Sequence, residues 1–185
     1  MLRHRCLRKR SLTWEFRLNM DPKGCPLIRY KESSSCPPMT WKQLQVFLGL
    51  IGYCRIWIPN YGLIAQPLYK SLKGWDDSIP LTWGTPPKKA EATLKQALTQ
   101  APALRLPDPN KAFQLYVLER EGIALGVLTQ RLGSEPQPVA YLSKRLDPTA
   151  QGWPPCLWNL AAIAIMIEDA LKLSFGGKLF LPTTK

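Results

Sequence analysis

Three residues spaced four apart, Gln45, Gly49 and Tyr53, carry the clearest chemical pattern in this sequence. At i, i+4 and i+8 they share one face of a helix, which presents an amide, a position without a side chain and a phenol ring. Such a face could enter a nucleic-acid groove, with the amide donating to base edges or sugars and the ring lying on a sugar. The alternative is close packing against another helix, because a glycine inside a helix costs roughly 1 kcal/mol relative to alanine.

Adjacent carboxylates at Asp76 and Asp77 raise the possibility of a two-metal site for phosphoryl transfer. They lie in the segment KGWDDSIP, which is typical of a loop rather than of a hairpin between two strands. We interpret them as a solvated acidic turn and predict no catalytic residue in the chain. The single histidine, His4, lies in a basic leader, and the five cysteines form no C-x-x-C pair. The sequence therefore predicts no zinc site, no disulfide framework and no histidine-dependent nucleophile.

The charge balance points to a polyanionic partner. The chain has 185 residues and a formal net charge of +12, which favours nucleic acid first and an anionic membrane surface second. No apolar run reaches the roughly 18 residues that span a bilayer, so we expect no membrane insertion and an intracellular location, cytoplasmic or nuclear. The start of the chain is Arg-rich; a mitochondrial transit peptide is the alternative to a basic tail. We predict that the tail binds phosphates through Arg3, Arg5, Arg8, Lys9 and Arg10.

The helix that must position the first three residues is predicted to begin at Thr40, which forms a capping box with Gln43. Its buried face follows the i, i+3, i+4, i+7 pattern. The residues expected on that face are Leu44, Phe47, Leu48, Ile51 and, through its methylene stem, Arg55.

Two further helices are predicted, over 64–72 around Pro67 and from an N-cap at Thr85 with Pro86 at the first helical position. In the latter helix the residues expected to be buried are Ala90, Leu94, Ala97 and Leu98, and those expected to face water are Lys88, Lys89, Glu91 and Lys95.

From residue 113 the hydrophobic period changes to that of strands. Segments 113–119, 123–132 and 138–146 predict an antiparallel three-stranded meander. Segment 157–173 predicts a helix that is apolar almost all round from Leu160 to Ile167 and therefore buried rather than lying on the surface. Segment 178–181 predicts a returning fourth strand. The fold class expected is α+β, with a helical segment followed by an α/β unit.

The segment QLQVFLGLIGYCRIWIPNYGLIAQPLY resembles the thumb of gammaretrovirus-like reverse transcriptases, above all in FLG followed by CRxWIP. TQAPALRLPDP, GVLTQRLG, PVAYLSKRLDP and GWPPC extend the resemblance from about residue 37 to about residue 181. It implies a fragment of an endogenous gammaretrovirus-like Pol polyprotein. Residues 1–36 are then a divergent basic segment without ordered structure, 37–100 are thumb-like, and 101–185 are a truncated ribonuclease H-like connection domain. In that family the thumb helix lies in the minor groove of the template–primer duplex, which places Gln45, Gly49 and Tyr53 on the groove track.

The resemblance also locates the ribonuclease H positions, where three carboxylates hold two metal ions. They fall at Leu118, at Asn159 and near Thr184, none of which is a carboxylate. Glu119 alternates to the opposite face of its strand, and Glu121 lies in a turn. We therefore expect no catalysis by this chain alone and no cofactor of its own; Mg²⁺ is expected only for the complete parent enzyme.

The function expected from this resemblance is binding of a nucleic-acid duplex, with an RNA–DNA hybrid as the favoured partner. Other Pol domains are possible protein partners, and neither a membrane nor a small-molecule substrate is expected. Two alternatives remain open. The chain could be part of an RNA-directed DNA polymerase and ribonuclease H that acts only with the missing palm and nuclease domains, or it could be an inert proviral relic or protein-interaction module.

Overall fold

The computed structural model describes residues 18–20, 26–28, 41–73 and 84–182. In chain order the strands are β1 (Leu18–Met20), β2 (Pro26–Ile28), β3 (Phe113–Arg120), β4 (Ile123–Leu132), β5 (Glu135–Arg145) and β6 (Leu179–Phe180). The helices are α1 (Trp41–Tyr53), α2 (Tyr61–Leu72), α3 (Thr85–Thr99), α4 (Pro148–Gln151) and α5 (Pro155–Ser174), with a 3-10 helix at Arg55–Trp57 between α1 and α2. None of the helices in these ranges is long and apolar enough to cross a membrane.

Strands β1 and β2 form an antiparallel pair in the N-terminal segment, with Leu18 opposite Ile28. The sequence predicts no regular structure there. Strands of three residues are too short to show the alternation of polar and apolar residues by which longer strands are recognised.

The buried face of α1 agrees with its hydrophobic pattern, because Leu44, Phe47, Leu48 and Ile51 are all buried. The prediction for Arg55 is wrong. The α-helix ends at Tyr53 and tightens into the 3-10 helix, so the helical spacing no longer applies and Arg55 is exposed. Cys54 takes the buried place instead, with 1% of its surface exposed.

Helices α1, α2 and α3 enclose a small core of their own. α2 begins three residues earlier than predicted and contains Pro67. α3 begins at Thr85 with Gly84 as its N-cap, so the predicted cap lies one residue too late. The expectation that Glu91 faces water is wrong, because its carboxylate is buried and lies 2.7 Å from Lys95 Nζ. The buried residues of this core are Leu44, Phe47, Leu48, Ile51, Ile58, Tyr61, Ala65, Leu68, Ala90 and Leu94.

The α+β prediction is confirmed by a four-stranded sheet in the order β5-β4-β3-β6. β3, β4 and β5 are antiparallel neighbours, as predicted, and β6 returns parallel to β3, pairing Leu179 with Phe113. Glu121 and Gly122 connect β3 to β4, and both have positive φ, +54° and +72°. Positive φ at both central residues is typical of the tight turn that matches the twist of a hairpin.

Helix α5 covers one face of the sheet, and the prediction that it is buried rather than lying on the surface is wrong. Only one stripe of it, at every fourth residue, is buried: Ala162, Met166, Ala170 and Ser174. Leu160 on the outer side is 62% exposed. Within 41–73 and 84–182 no second layer packs on that side of α5, so its apolar sequence does not translate into burial.

The helical segment and the sheet meet at β5. The 3-10 helix lies against β5, and the start of α2 reaches β5 and β4. Ile56 of the 3-10 helix packs against the core under α5. This contact holds α1 beside the sheet and leaves the outer face of α1 in solvent.

Candidate nucleic-acid interface

The exposed face of α1 carries the three residues singled out by their spacing. Gln45, Gly49 and Tyr53 are all exposed and follow one another along the helix, opposite the buried stripe. Tyr53 has 68% of its surface in solvent. Lys42 and Val46 are exposed beside them, so the face combines one cation, one amide, one small apolar side chain and one aromatic ring around a glycine.

Gly49 is not explained by packing within the described chain. A Cβ atom at this position would have no heavy atom within 4 Å. A Cβ at Gly52 would lie 3.6 Å from Tyr61 Oη, which is an ordinary van der Waals distance. The helix-packing alternative for Gly49 is therefore wrong for the part of the chain that the structure describes, and the glycine leaves a shallow open site between Gln45 and Tyr53.

The charged residues within the segment 41–73 all have the same sign. Residues 41–73 contain no Asp or Glu, and their cations are Lys42, Arg55, Lys70 and Lys73. The predicted phosphate contacts at Arg3, Arg5, Arg8, Lys9 and Arg10, and the acidic pair Asp76 and Asp77, lie outside the described residues and stay predictions.

A second group of cations, which sequence reasoning missed, lies where the 3-10 helix, β5 and α5 meet. Asp169 Oδ1 accepts a hydrogen bond of 2.8 Å from Lys172 Nζ and lies 3.8 Å from Lys144 Nζ. The hydrogen bond and the charge of Asp169 raise the pKa of Lys172, and nearby Arg55 acts in the opposite direction. The Asp169 carboxylate thus contacts two cations, Lys144 and Lys172, and Arg55 and Glu168 both lie near enough to influence Lys172. These residues are far apart in the sequence, so no local pattern could have grouped them.

Two of the three predicted ribonuclease H positions lie within the described residues, and neither carries a carboxylate. Leu118 lies in β3 with 60% of its surface exposed, Asn159 is exposed on α5, and Thr184 lies outside the described residues. Glu119 accepts a hydrogen bond of 2.8 Å from the Gly122 amide, which ties its carboxylate to the hairpin. Leu118 has no donor atom and Asn159 offers only a neutral amide, so these side chains do not fit the anionic oxygen set that Mg²⁺ prefers. Across 18–20, 26–28, 41–73 and 84–182 no group of three or more His, Cys, Asp or Glu residues could hold a metal.

Comparison with known protein families gives a match over much of the chain. The profile of the RNase H-like domain found in reverse transcriptase matches residues 83–180. The Gag-Pol polyprotein of avian reticuloendotheliosis virus is 55% identical over 139 residues, which cover 75% of this chain and 12% of that protein. The Gag-Pol polyprotein of baboon endogenous virus (strain M7) is 50% identical over 147 residues, which cover 80% of this chain and 8% of that protein. The Pol polyprotein of feline endogenous virus ECE1 is 49% identical over 147 residues, which cover 80% of this chain and 14% of that protein. The chain therefore spans only a small part of these relatives.

Solved structures give a similar fold. A foamy viral protease-reverse transcriptase in complex with double-stranded DNA matches with a TM-score of 0.69 and 21% identity, covering 82% of this chain and 27% of that one. The foamy viral protease-reverse transcriptase in complex with an RNA/DNA hybrid matches with a TM-score of 0.67 and 22% identity. The match covers 81% of this chain and 20% of that one. At such identities the likeness concerns the fold alone.

Proposed function

The chain belongs to the RNase H-like domain family found in reverse transcriptases, and from this premise we propose that it binds nucleic-acid duplexes through the outer face of α1, without cleaving or extending them. The observation that carries the proposal is the open site at Gly49, where an added Cβ atom would have no heavy atom of the described residues within 4 Å. A glycine in the middle of a helix costs stability, and close approach of a sugar–phosphate backbone gives a reason for that cost.

The side chains on either side of Gly49 suit such an approach. Gln45 can donate from its amide to base edges or sugar hydroxyls, and Tyr53 can lay its exposed ring against a sugar. The absence of carboxylates from residues 41–73 removes the like-charge repulsion that phosphates would otherwise meet. Lys42, at the start of α1, adds a cation at the edge of the same face.

The partner that fits best is an RNA–DNA hybrid. The minor groove of B-form DNA is about 6 Å wide, too narrow for a helix. An A-like duplex has a wide, shallow minor groove that displays 2′-hydroxyls. A helix face that is flat at its centre can rest on such a groove. The solved structures of similar fold include one complex with double-stranded DNA and one with an RNA/DNA hybrid, which supports a duplex as the ligand class.

The lack of catalysis rests on Leu118 and Asn159, which offer no carboxylate for a metal ion. A second candidate function follows from the short share of its relatives that the chain covers, which is 12% of one Gag-Pol polyprotein and 8% of another. Under this alternative the chain is one piece of an RNA-directed DNA polymerase, and activity appears only when the remaining domains are supplied.

Fluorescence anisotropy tests the proposal. The full chain is titrated into labelled RNA–DNA hybrid, double-stranded DNA and single-stranded RNA at several salt concentrations, with and without Mg²⁺. Gly49→Leu should bind the hybrid at least about tenfold more weakly, because a branched side chain fills the open site. The matched control is Ala164→Leu, which adds a leucine at an exposed position of α5 and should bind like the parent chain. Equal binding by the parent and Gly49→Leu would exclude the α1 face, and Mg²⁺-dependent cleavage would favour the enzymatic alternative.

A further inference from the structure

Cations from three different elements lie together beside the end of α1. Lys172 Nζ of α5 donates a hydrogen bond of 2.8 Å to Asp169 Oδ1, and Lys144 Nζ of β5 lies 3.8 Å from the same oxygen. The hydrogen bond to Asp169 raises the pKa of Lys172, whereas the charge of Arg55 in the 3-10 helix acts against this rise, so Arg55 is close as well. Glu168 adds a second carboxylate near Lys172.

The ion pairs of this cluster leave positive charge in excess. The side chains of Lys144 and Lys172 are 47% and 68% exposed, and Arg55 is exposed. Ion pairs between side chains as exposed as these contribute little to stability, so folding does not account for the convergence of three cations. They stand beside two carboxylates, those of Asp169 and Glu168. One positive charge therefore remains uncompensated within the cluster, at a surface that solvent reaches.

The cluster begins where the outer face of α1 ends. Tyr53 is the last residue of α1, and Arg55 opens the 3-10 helix two residues later; both are exposed. A helix that rests in a minor groove lies between the two phosphate backbones that border the groove. Cations beside the end of such a helix are therefore in a position to meet one of those backbones.

From this geometry we propose that Arg55, Lys144 and Lys172 form a phosphate-binding site for one backbone strand of the duplex that rests on α1. The inference rests on the proposed function and adds a second point of contact, on the sheet and α5. The guanidinium of Arg55 can donate two hydrogen bonds to one phosphate, and each lysine acts as a point charge. Asp169 keeps the two ammonium groups together. Because phosphates carry no base information, the site orients the duplex and does not select its sequence.

The salt dependence of duplex binding by the full chain tests this site. Each phosphate contact on B-form DNA contributes about 0.9 to the slope of log affinity against log salt, so Lys144→Gln with Lys172→Gln should flatten that slope by up to about 1.8 units. Replacing both lysines with Arg should keep the parental slope, because the charges remain. The matched control is Lys88→Gln with Lys89→Gln, which removes two exposed cations from α3 and should also keep it. A parental slope in the first variant, or equal flattening by the two Gln pairs, would overturn the site.

Acetylation of lysines in the unaltered chain, read by mass spectrometry, separates failure of this site from failure of the α1 face. The chain is acetylated alone and with saturating RNA–DNA hybrid. Lys144 and Lys172 should react severalfold more slowly with the hybrid, together with Lys42 at the edge of the α1 face, whereas Lys88 and Lys89 should react at unchanged rates. Protection of Lys42 without Lys144 and Lys172 would overturn this site and leave the α1 face intact. Protection of none of the three would overturn both.

Discussion

The backbone amide of Gly62, in the first turn of α2, donates a hydrogen bond of 2.7 Å to the hydroxyl of Ser143 in β5. Amides in the first turn of a helix have no partner within the helix. Asn60, the N-cap residue of α2, makes no side-chain capping bond. Ser143 therefore caps α2 from a strand 81 residues further along the chain, and the same bond joins the helical segment to the sheet.

This contact predicts that Gly62→Ala destabilises the protein. A Cβ at position 62 would overlap the Ser143 hydroxyl and lie 2.9 Å from Ile123 Cγ2. We expect the free energy of unfolding to fall by about 1–3 kcal/mol, as for other overpacked sites. Gly49→Ala is the control, because its Cβ meets open space; it should raise the free energy of unfolding by up to about 1 kcal/mol. Urea denaturation of the two variants measures both values, and a stable Gly62→Ala would show that the junction is loose.

Restoring only two of the three ribonuclease H carboxylates should not create nuclease activity. The double change Leu118→Asp and Asn159→Asp restores two carboxylates but not a third, so Mg²⁺ still lacks its full anionic set. Both side chains are exposed, so each change should alter the free energy of unfolding by no more than about 0.5 kcal/mol. The measurement is cleavage of a labelled RNA–DNA hybrid with Mg²⁺ beside a urea melt. Cleavage above the parent level would reveal an unrecognised third ligand.

Removing the basic N-terminal tail should change how strongly salt weakens nucleic-acid binding, but not the preference for hybrid over DNA. Each phosphate neutralised on B-form DNA contributes about 0.9 to the slope of log affinity against log salt. Deleting residues 1–10 removes Arg3, Arg5, Arg8, Lys9 and Arg10, so the slope should flatten by up to about 4.5 units. The ratio of hybrid to DNA affinity should not change, because phosphate contacts of the kind predicted for the tail carry no sequence or shape information. An unchanged slope in anisotropy titrations would show that the tail does not bind the duplex.

The buried phenol of Tyr61 should make the protein less stable at high pH. Burial, followed by the hydrogen bond with Tyr69, raises the pKa of Tyr61 above its ordinary value of 10.0. Above that value the unfolded chain releases the phenolic proton while the folded chain retains it, so the folded state binds more protons. The free energy of unfolding should then fall by up to about 1.4 kcal/mol per pH unit from this group.

The comparison that isolates Tyr61 uses two variants. Tyr61→Phe should flatten the decline of stability above about pH 10, because a phenyl ring has no proton to lose. Tyr53→Phe is the control, since Tyr53 is 68% exposed, and it should follow the parent chain. Urea melts at increasing pH give the two slopes. Identical slopes for Tyr61→Phe and the parent would place the alkaline transition on other groups.

Sequence alone determined the elements whose residues repeat with a clear period. The buried stripe of α1 and the three strands of the meander could be predicted because each repeat lies within about ten residues, where local geometry decides which side chains share a face. The same reasoning put Gln45, Gly49 and Tyr53 on one face. The match to reverse transcriptase families could likewise be anticipated from short motifs.

Tertiary structure decided what each face meets. Three features depend on which layers pack together. They are the exposure of Gly49 to solvent rather than to a helix, the exposure of the outer side of α5, and the pairing of the Glu91 carboxylate with a cation. The cap that Ser143 gives to α2 has no signal in sequence, because its two partners lie 81 residues apart and a single serine hydroxyl forms no pattern. Periodicity assigns residues to a face, whereas burial and partnership arise only when distant faces come together.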